Sequence, residues 1–298
     1  MSATARSLDG RAAAEALRAR LEERLERYRV AARDRGAVPD VTLGTVMVGD
    51  DEASQRYIRM RDRQAEKLGI QPRQLSLPAD VDQARLEAEV RAWVDDPSVH
   101  GIIVQLPLPE GLDGTRVTAL IPPEKDIDGL TERNLGRLVR GEEGLLPCTP
   151  LGVLRLIQHY GIETAGRHAV VVGRSTVVGL PLTVLLSRRG TDATVTLAHS
   201  RTPELAQVTR TADLLVAATG MPGLITADHV RDGAAVFDVG MTWTGDGMKG
   251  DVDQESVGAV AGALTPMPGG TGPMTVACVL ENTVRAAELQ LEGSPGCA

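Results

Sequence analysis

HAVVVGRSTVVGLPLTVLLSRRG, residues 168–190, is the stretch that decides the fold. Residues 169–172 are four consecutive apolar positions, which are too few for a helix and β-branched enough to predict a buried strand. Gly173 then begins a turn. Pro181 suits the first turn of a following helix and Gly190 suits its C-terminal cap. The stretch therefore predicts a strand, a glycine-bearing turn and a helix in direct succession.

This succession leaves two interpretations of the turn. The free backbone amides and the positive dipole end of a helix N-terminus form a site for a phosphate group. The spacing, however, is G-x-S-x-x-x-G rather than G-x-G-x-x-G, so an ordinary connection between strand and helix fits equally well. A nucleophile elbow is excluded, because Val177 occupies the position where G-x-S-x-G needs its second glycine.

The second half of the chain repeats this alternation of strand and helix, which predicts a parallel sheet with helices on both faces. Right-handed crossovers make such a domain a doubly wound, Rossmann-like nucleotide-binding type. Its second strand is followed by His199-Ser-Arg-Thr202 rather than by an acidic residue. Ser200 and Arg201, joined by Arg174, suit a ribose 2′-phosphate, so the sequence favours NADP over NAD. The predicted strands are 169–172, 194–197, 214–218 and 235–239.

The first half also predicts an α/β domain. Tyr57 and Arg61 are four residues apart on one of its helices and so share a face. Aromatic residues are scarce in this chain, which makes Tyr57 a candidate ligand contact, although a core tyrosine beside a solvated arginine face is the competing interpretation. The predicted helices are 9–36, 53–68 and 82–95, and the predicted strands are 41–48, 70–77 and 102–104.

Three further stretches leave a structural and a functional interpretation open. Gln105 follows a predicted buried strand, where open α/β sheets bind ligands, but it also suits a loop cap. Asp126 and Asp128 are either turn residues closing on Gly129 or acceptors for a ligand with N–H donors. The loop TPMPGGTGP, 265–273, is a plain connector or a place where a ligand approaches the backbone closely. We expect the helix after it to return to the first domain.

Composition excludes several classes of protein. The chain of 298 residues has a formal net charge of −8, which argues against a nucleic-acid partner. It has no apolar run long enough to span a membrane and no apolar core of a signal peptide near its start. The three cysteines, Cys148, Cys278 and Cys297, lack metal-ligand spacing, so we expect reduced thiols, no metal and a cytoplasmic protein.

Taken together, these stretches resemble the bifunctional methylenetetrahydrofolate dehydrogenase/methenyltetrahydrofolate cyclohydrolase family over nearly the whole chain. Each motif alone is weak, but their order and spacing are specific. The resemblance implies one-carbon metabolism, purine biosynthesis, NADP as cofactor, tetrahydrofolate derivatives as substrates, and a homodimer. The motifs that carry it are SLDGR, VGDDEASQRYIRMRDR, GIIVQLPLP, PPEKDIDG, PCTPLG, VVGRSTVVGLP, AHSRT, VFDVGM, GDVD and TPMPGGTGPMTV.

The resemblance also implies a domain division and a role for particular residues. A folate-binding catalytic domain would comprise 1–147 with the returning helix 275–298, and an NADP-binding domain would comprise 148–274. Tyr57 would flank the pterin ring, Gln105 would lie beside the catalytic cation at position 61, and Asp128 would accept hydrogen bonds from the pterin. Pro273 would line the folate pocket. The cofactor would meet Gly173, Arg174, Ser175, Ser200, Arg201 and Met241.

One position departs from the family. The family motif Y-[IV]-x-x-K places a lysine where this chain has Arg61. Hydride transfer from 5,10-methylenetetrahydrofolate needs positioning more than a base, whereas hydrolysis of the resulting methenyl cation needs proton transfer. A guanidinium keeps its proton and cannot act as base. We therefore expect dehydrogenase activity with weak or absent cyclohydrolase activity.

Arg61 could also have arisen by harmless drift, because the chain strongly prefers arginine: only Lys67, Lys125 and Lys249 are lysines among 32 basic residues. The retention of Lys125 in its motif argues against drift. A non-catalytic paralogue that binds folate and NADP is the competing class of function. An unrelated NADP dehydrogenase acting on small acids is a third possibility, and it would bind no folate.

Overall fold

A computed structural model describes residues 5–245 and 247–293 of the chain, so Cys297 lies outside the described residues. Two compact units are present. The six-stranded unit comprises 5–16 and 149–278, and the three-stranded unit comprises 17–148 and 279–293. No helix among the described residues is long and apolar enough to cross a membrane.

Helices and strands alternate through most of the chain. In the described residues the α-helices are α1 (Gly10–Asp34), α2 (Glu52–Leu68), α3 (Gln83–Asp95), α4 (Gly114–Thr118), α5 (Glu132–Arg140), α6 (Cys148–Tyr160), α7 (Gly179–Ser187), α8 (Leu205–Thr209), α9 (Gln254–Gly258) and α10 (Thr271–Glu292). The strands are β1 (Arg6–Ser7), β2 (Thr42–Val48), β3 (Gln71–Leu77), β4 (Gly101–Val104), β5 (His168–Val172), β6 (Thr194–Ala198), β7 (Leu214–Ala217), β8 (Ala235–Asp238), β9 (Thr242–Thr244), β10 (Gly247–Lys249) and β11 (Ala263–Leu264).

The six-stranded unit confirms the predicted parallel α/β sheet. Its strand order is β1-β11-β8-β7-β5-β6, and every pairing is parallel. The chain runs outward from β5 to β6 and then crosses back to β7, so the strand order reverses between β5 and β7. Open α/β sheets bind ligands at the carboxyl ends of the strands on either side of such a switch point. This edge is therefore where a ligand is expected.

The three-stranded unit is a parallel sheet in the order β3-β2-β4. All seven residues of β2 are buried, as expected for a central strand covered by helices on both faces. Leu17, Leu21, Leu25 and Tyr28 of α1 are buried at helical spacing, so this helix turns one apolar face to the core.

The last helix returns to the first half of the chain, as predicted. Within the three-stranded unit, the Asn282 side chain donates hydrogen bonds of 2.8 Å to the carbonyls of Ile127 and Leu146. The Gln290 side chain donates one of 2.7 Å to the carbonyl of His100. These contacts attach the second part of α10 to the sheet formed by the first half.

One feature differs from the sequence-based expectation. Helix α7 ends at Ser187 with Arg188 at its C-cap, so Gly190 is not the cap that the sequence suggested. Residues 5–16 belong to the six-stranded unit, because Arg6 and Ser7 pair with Ala263 and Leu264. The domain boundaries 1–147 with 275–298 and 148–274 stay a prediction.

Candidate functional site

The turn after β5 has the geometry of a close backbone approach. Gly173 has φ +121°, and a Cβ atom there would lie 2.0 Å from the carbonyl oxygen of Ala218, after β7. A Cβ at Gly179 would lie 1.8 Å from the carbonyl oxygen of Gly173. Both glycines are therefore required for the turn to pass this close to neighbouring backbone. The turn lies at the switch point, where the carboxyl ends of β5 and β7 are adjacent.

Helix α7 begins without a side-chain cap. The apolar Val178 occupies its N-cap position and no side chain of the described residues caps the helix, while the Val178 amide donates to Ser175 Oγ at 3.1 Å. Among the first helical residues, the Leu180 amide donates to the Ser175 carbonyl at 3.0 Å and Pro181 has no N–H, so the helix start offers an anion the Gly179 amide and the positive end of its dipole. Ser175 and Arg174 are exposed on the same turn, so three of the predicted cofactor residues lie together here.

The turn after β6 presents the second predicted group. The His199 amide donates to Thr202 Oγ1 at 2.9 Å and the Arg201 amide donates to His199 Nδ1 at 3.1 Å, which closes the turn on itself. Ser200 and Arg201 are left exposed. In this arginine-rich chain many arginines form ion pairs, but Arg174 and Arg201 have no ion pair with any described residue. Both cations remain available for an anionic ligand.

Two buried carboxylates, to which the sequence motifs assigned no role, hold the same sheet edge together. Asp251 is fully buried, and its Oδ2 accepts hydrogen bonds from the amides of Thr219 and Gly220, after β7. Asp238 accepts from the Asp251 amide at 2.9 Å and from the Gly240 amide at 3.1 Å. Burial raises the pKa of Asp238 to about 6. The loops that these carboxylates fix flank Met241, which is 56% exposed.

The sequence offered a signal for this pair. Each carboxylate lies close to a glycine along the chain, in the motifs VFDVG and GDVD. A Cβ at Gly240 would lie 2.2 Å from Asp251 Oδ1, and one at Gly250 would lie 1.9 Å from Asp238 Oδ2. Glycines near acidic residues at strand ends therefore indicated a carboxylate packed tightly against backbone.

Pro273 also lies in the six-stranded unit. It occupies the first turn of α10 and is partly exposed. The loop before it packs against the start of α1, where the Gly10 amide donates to the Gly269 carbonyl at 2.9 Å. This contact explains the motif SLDGR, because a Cβ at Gly10 would lie 1.6 Å from the Gly270 carbonyl oxygen.

In the three-stranded unit, α2 carries Tyr57 and Arg61. Asp51 caps the helix start by accepting from the Ser54 amide at 2.7 Å, and Gly69 ends the helix in the left-handed conformation. Tyr57 is partly exposed, whereas Arg61 is fully buried. The expectation that both share a face holds, but the guanidinium lies beneath the surface and not on a solvated face.

Arg61 is held by few partners. Its Nη2 donates to Thr45 Oγ1 on the central strand β2 and lies 3.5 Å from Asp62 Oδ1. Its Nε and Nη1 have no hydrogen-bond partner among the described residues. Thr45 was not singled out in the sequence, although a hydroxyl inside a strand of otherwise apolar character indicates a buried polar partner.

Asp128 and Tyr57 share the electrostatic environment of Arg61. Burial raises the pKa of the Asp128 carboxyl to about 6, with Asp126 raising it further and Arg61 opposing the rise. Burial raises the pKa of Tyr57 to about 12, again opposed by Arg61 and increased by Asp128. The structure therefore brings Tyr57, Arg61 and Asp128 within electrostatic reach of one another.

The two aspartates of the PPEKDIDG loop have different roles. Asp126 is a turn residue: it accepts from the Gly129 amide at 3.0 Å, the Thr131 amide at 2.9 Å and the Asn134 side chain at 2.9 Å. Asp128 is partly exposed and has no hydrogen bond to any described residue. Of the two carboxylates, only that of Asp128 is free to accept from a ligand.

Gln105 follows β4, where its amide donates to the Val46 carbonyl of β2 at 2.8 Å. Its side chain is partly exposed and, among the described residues, donates only a long hydrogen bond of 3.4 Å to the adjacent Leu106 carbonyl. The PPEKDIDG loop runs parallel to β4 through a bridge between Ile102 and Asp126. Asp128 follows two residues beyond that bridge, toward the strand end that carries Gln105.

Two family models cover most of the chain. The tetrahydrofolate dehydrogenase/cyclohydrolase catalytic domain matches residues 8–128, and the NAD(P)-binding domain of the same family matches residues 147–291. The bifunctional protein FolD 2 of Frankia alni is 48% identical over 285 residues, covering 96% of each chain. The bifunctional protein FolD 1 of Rubrobacter xylanophilus is 48% identical over 289 residues, covering 97% of this chain and 99% of that protein.

Solved structures of proteins in this family are similar to this chain in fold. The bifunctional methylenetetrahydrofolate dehydrogenase/cyclohydrolase FolD of Campylobacter jejuni has a TM-score of 0.89 at 38% identity, covering 95% of this chain and 98% of that one. The Trypanosoma brucei enzyme, solved as a complex with NADP cofactor and an inhibitor, has a TM-score of 0.89 at 36% identity, covering 98% of this chain and 100% of that one.

Proposed function

The chain belongs to the tetrahydrofolate dehydrogenase/cyclohydrolase family, and we propose that it oxidises 5,10-methylenetetrahydrofolate to 5,10-methenyltetrahydrofolate with NADP⁺ in one-carbon metabolism. The observation that carries the proposal is the juxtaposition of Tyr57 and Asp128 around the buried Arg61. A partly exposed aromatic ring and a carboxylate without a hydrogen bond to any described residue support the proposal that these two side chains contact the pterin. The unrelated dehydrogenase of small acids is excluded by the family membership.

NADP fits the residues at the switch point of the six-stranded sheet. The uncapped start of α7, Gly173 and Ser175 suit a diphosphate, and the unpaired Arg201 with Ser200 suits a ribose 2′-phosphate. Arg174 is a second cation for the same phosphates. Met241, exposed after β8, is proposed to contact the nicotinamide portion. When bound, NADP⁺ supplies the hydride acceptor of the reaction.

The folate substrate is proposed to contact four residues. Tyr57 would lie against the pterin ring, and the free carboxylate of Asp128 would accept hydrogen bonds from pterin N–H groups. Gln105 would present its amide at the end of β4, and Pro273 would line the folate pocket. None of these side chains has to act as a base, because hydride loss from the bridging carbon leaves a cation spread over N5, N10 and that carbon. The step requires positioning.

The second reaction of the family demands proton transfer. Water must add to the methenyl carbon and lose a proton, and a ring nitrogen must gain a proton as its bond to that carbon breaks. Arg61 cannot serve as base, because a guanidinium keeps its proton, and its side chain is 0% exposed. We propose that Arg61 positions neighbouring groups electrostatically, and that cyclohydrolase activity is weak or absent.

Separate assays of the two steps test the proposal. Purified protein mixed with 5,10-methylenetetrahydrofolate and NADP⁺ is expected to generate the absorbance of NADPH and of the methenyl product. Supplied methenyltetrahydrofolate is expected to disappear at the uncatalysed rate. Hydrolysis well above that rate, lost in Arg61→Ala, would overturn the split between the activities. A non-catalytic paralogue would bind both ligands and generate no NADPH.

We further propose a homodimer in the cytoplasm that contributes to purine biosynthesis. The buried Cys148 and Cys278 form no disulfide among the described residues, which supports a reducing compartment. The homodimer and the purine role are supported by the resemblance to the family. Sedimentation at micromolar concentration tests the dimer, and a purine requirement after loss of the chain in its host tests the metabolic role.

A further inference from the structure

Beyond the residues already assigned, Asp62 is the acidic group in direct contact with the buried cation. Its Oδ1 lies 3.5 Å from Arg61 Nη2, and its side chain is 19% exposed. The same Oδ1 is sealed from solvent and accepts no aligned hydrogen bond from the described residues. Asp62 therefore interacts with Arg61 mainly through charge.

A buried guanidinium needs such a partner. Removing one member of a buried ion pair leaves an uncompensated charge in a medium that solvates it poorly. Thr45, the other partner of Nη2, is neutral, and the Arg61 Nε and Nη1 atoms are unpartnered among the described residues. The carboxylate of Asp62 is thus the negative charge nearest to the guanidinium that the structure records as an ion pair.

The proposed reaction makes this compensation matter. Its product, 5,10-methenyltetrahydrofolate, carries a positive charge that the substrate lacks. An uncompensated guanidinium near Tyr57 and Asp128 would repel that positive charge, and the repulsion would be strong in a site shielded from water. A carboxylate paired with the guanidinium removes most of this repulsion.

We propose that Asp62 is a positioning residue that offsets the charge of Arg61 and so allows the site to hold the cationic methenyl product. This role rests on the proposed function. Asp128 does not fill it, because that carboxylate is assigned to the pterin. Glu66 does not fill it either, because it is exposed one turn further along α2 and makes no ion pair with Arg61 in the described residues.

Equilibrium binding of two folates that differ in charge tests the role. Methenyltetrahydrofolate is cationic at its bridging carbon, whereas tetrahydrofolate is neutral there, and both carry the same glutamate. We expect Asp62→Asn to weaken methenyltetrahydrofolate binding about tenfold, equivalent to about 1.4 kcal/mol, and tetrahydrofolate binding less than about twofold. Asp62→Glu is expected to retain the wild-type selectivity, and Glu66→Gln is the matched control.

A paired variant keeps the test decisive if the single variant folds poorly. Arg61→Met with Asp62→Asn removes both charges and leaves the net charge unchanged, so the ratio of methenyltetrahydrofolate affinity to tetrahydrofolate affinity should stay within about threefold of the wild-type ratio. Equal weakening of both folates by Asp62→Asn would assign Asp62 a structural role and overturn the inference. No selective loss would overturn it as well. Absence of any folate binding by the wild type would instead overturn the proposed function.

Discussion

Replacing Arg61 by lysine is expected to restore cyclohydrolase activity. Lysine Nζ occupies about the position of arginine Cζ, so the substitution removes the terminal nitrogens that reach Thr45 and approach Asp62. The space released is about that of one water molecule, and it lies against the polar atoms of Thr45 and Asp62, which can hydrogen-bond such a water. The variant therefore supplies both a tunable amine and a place for water.

The size of the effect follows from the proton transfer that becomes available. A positioned general acid or base contributes about 10²- to 10⁴-fold, which corresponds to about 3–5 kcal/mol of barrier. Burial lowers the pKa of a lysine amine, which allows it to exchange a proton near neutral pH. We expect methenyl hydrolysis to increase about 10²-fold, the lower end, because Arg61 is fully buried and its surroundings are packed around a guanidinium.

The assay follows the loss of methenyltetrahydrofolate absorbance in the absence of NADP⁺, so that dehydrogenation does not contribute. Arg59→Lys is the matched control, because Arg59 is exposed on the same helix and donates to the side chain of Gln55. Dehydrogenase kcat is expected to change less than about tenfold in both variants. Hydrolysis by Arg61→Lys that equals hydrolysis by Arg59→Lys would refute the reasoning.

Three further predictions concern the cofactor edge and the pterin carboxylate. Arg201→Ala is expected to raise KM for NADP⁺ about tenfold and leave KM for NAD⁺ unchanged, measured by NADPH and NADH formation. Asp251→Ala is expected to lower the free energy of unfolding by about 3 kcal/mol in denaturant titrations, because it strips two backbone amides of a charged acceptor, whereas Asp253→Ala, at an exposed helix cap, costs about 1 kcal/mol. The kcat/KM for folate is expected to rise with pH through about 6, because the raised pKa of Asp128 leaves its carboxyl protonated below that value, and Asp128→Asn should remove the inflection.

The fold was largely predictable because its signals are local. Short β-branched runs followed by glycine turns predicted the strands of the six-stranded sheet, and their alternation with helices predicted the parallel order. Strand β1 was not predictable, because two residues carry no periodicity and Arg6 and Ser7 join the sheet only through Ala263 and Leu264. Pairing across that much sequence depends on tertiary contacts.

The burial of Arg61 was harder to predict than the face of α2 on which it lies. Charged side chains are exposed by default, so the arginines of α2 were expected to lie on a solvated face. Yet Ile58, Ala65 and Leu68 are buried at helical spacing with Arg61. Arg61 therefore lies within the apolar stripe of α2, and that position in the pattern was the available signal.

Lys125 does not bear on whether Arg61 arose by harmless drift, contrary to the sequence-based argument. Its amine is buried and donates to the carbonyls of Val94 at 2.9 Å and Asp96 at 2.7 Å, at the end of α3. That structural role explains a lysine there whatever happened elsewhere in the chain. The surroundings of Arg61 itself speak against drift. A guanidinium that is fully buried and held against Thr45 and Asp62 is part of the packing of α2 on β2. The chain's general preference for arginine does not explain a burial and a set of partners as specific as these.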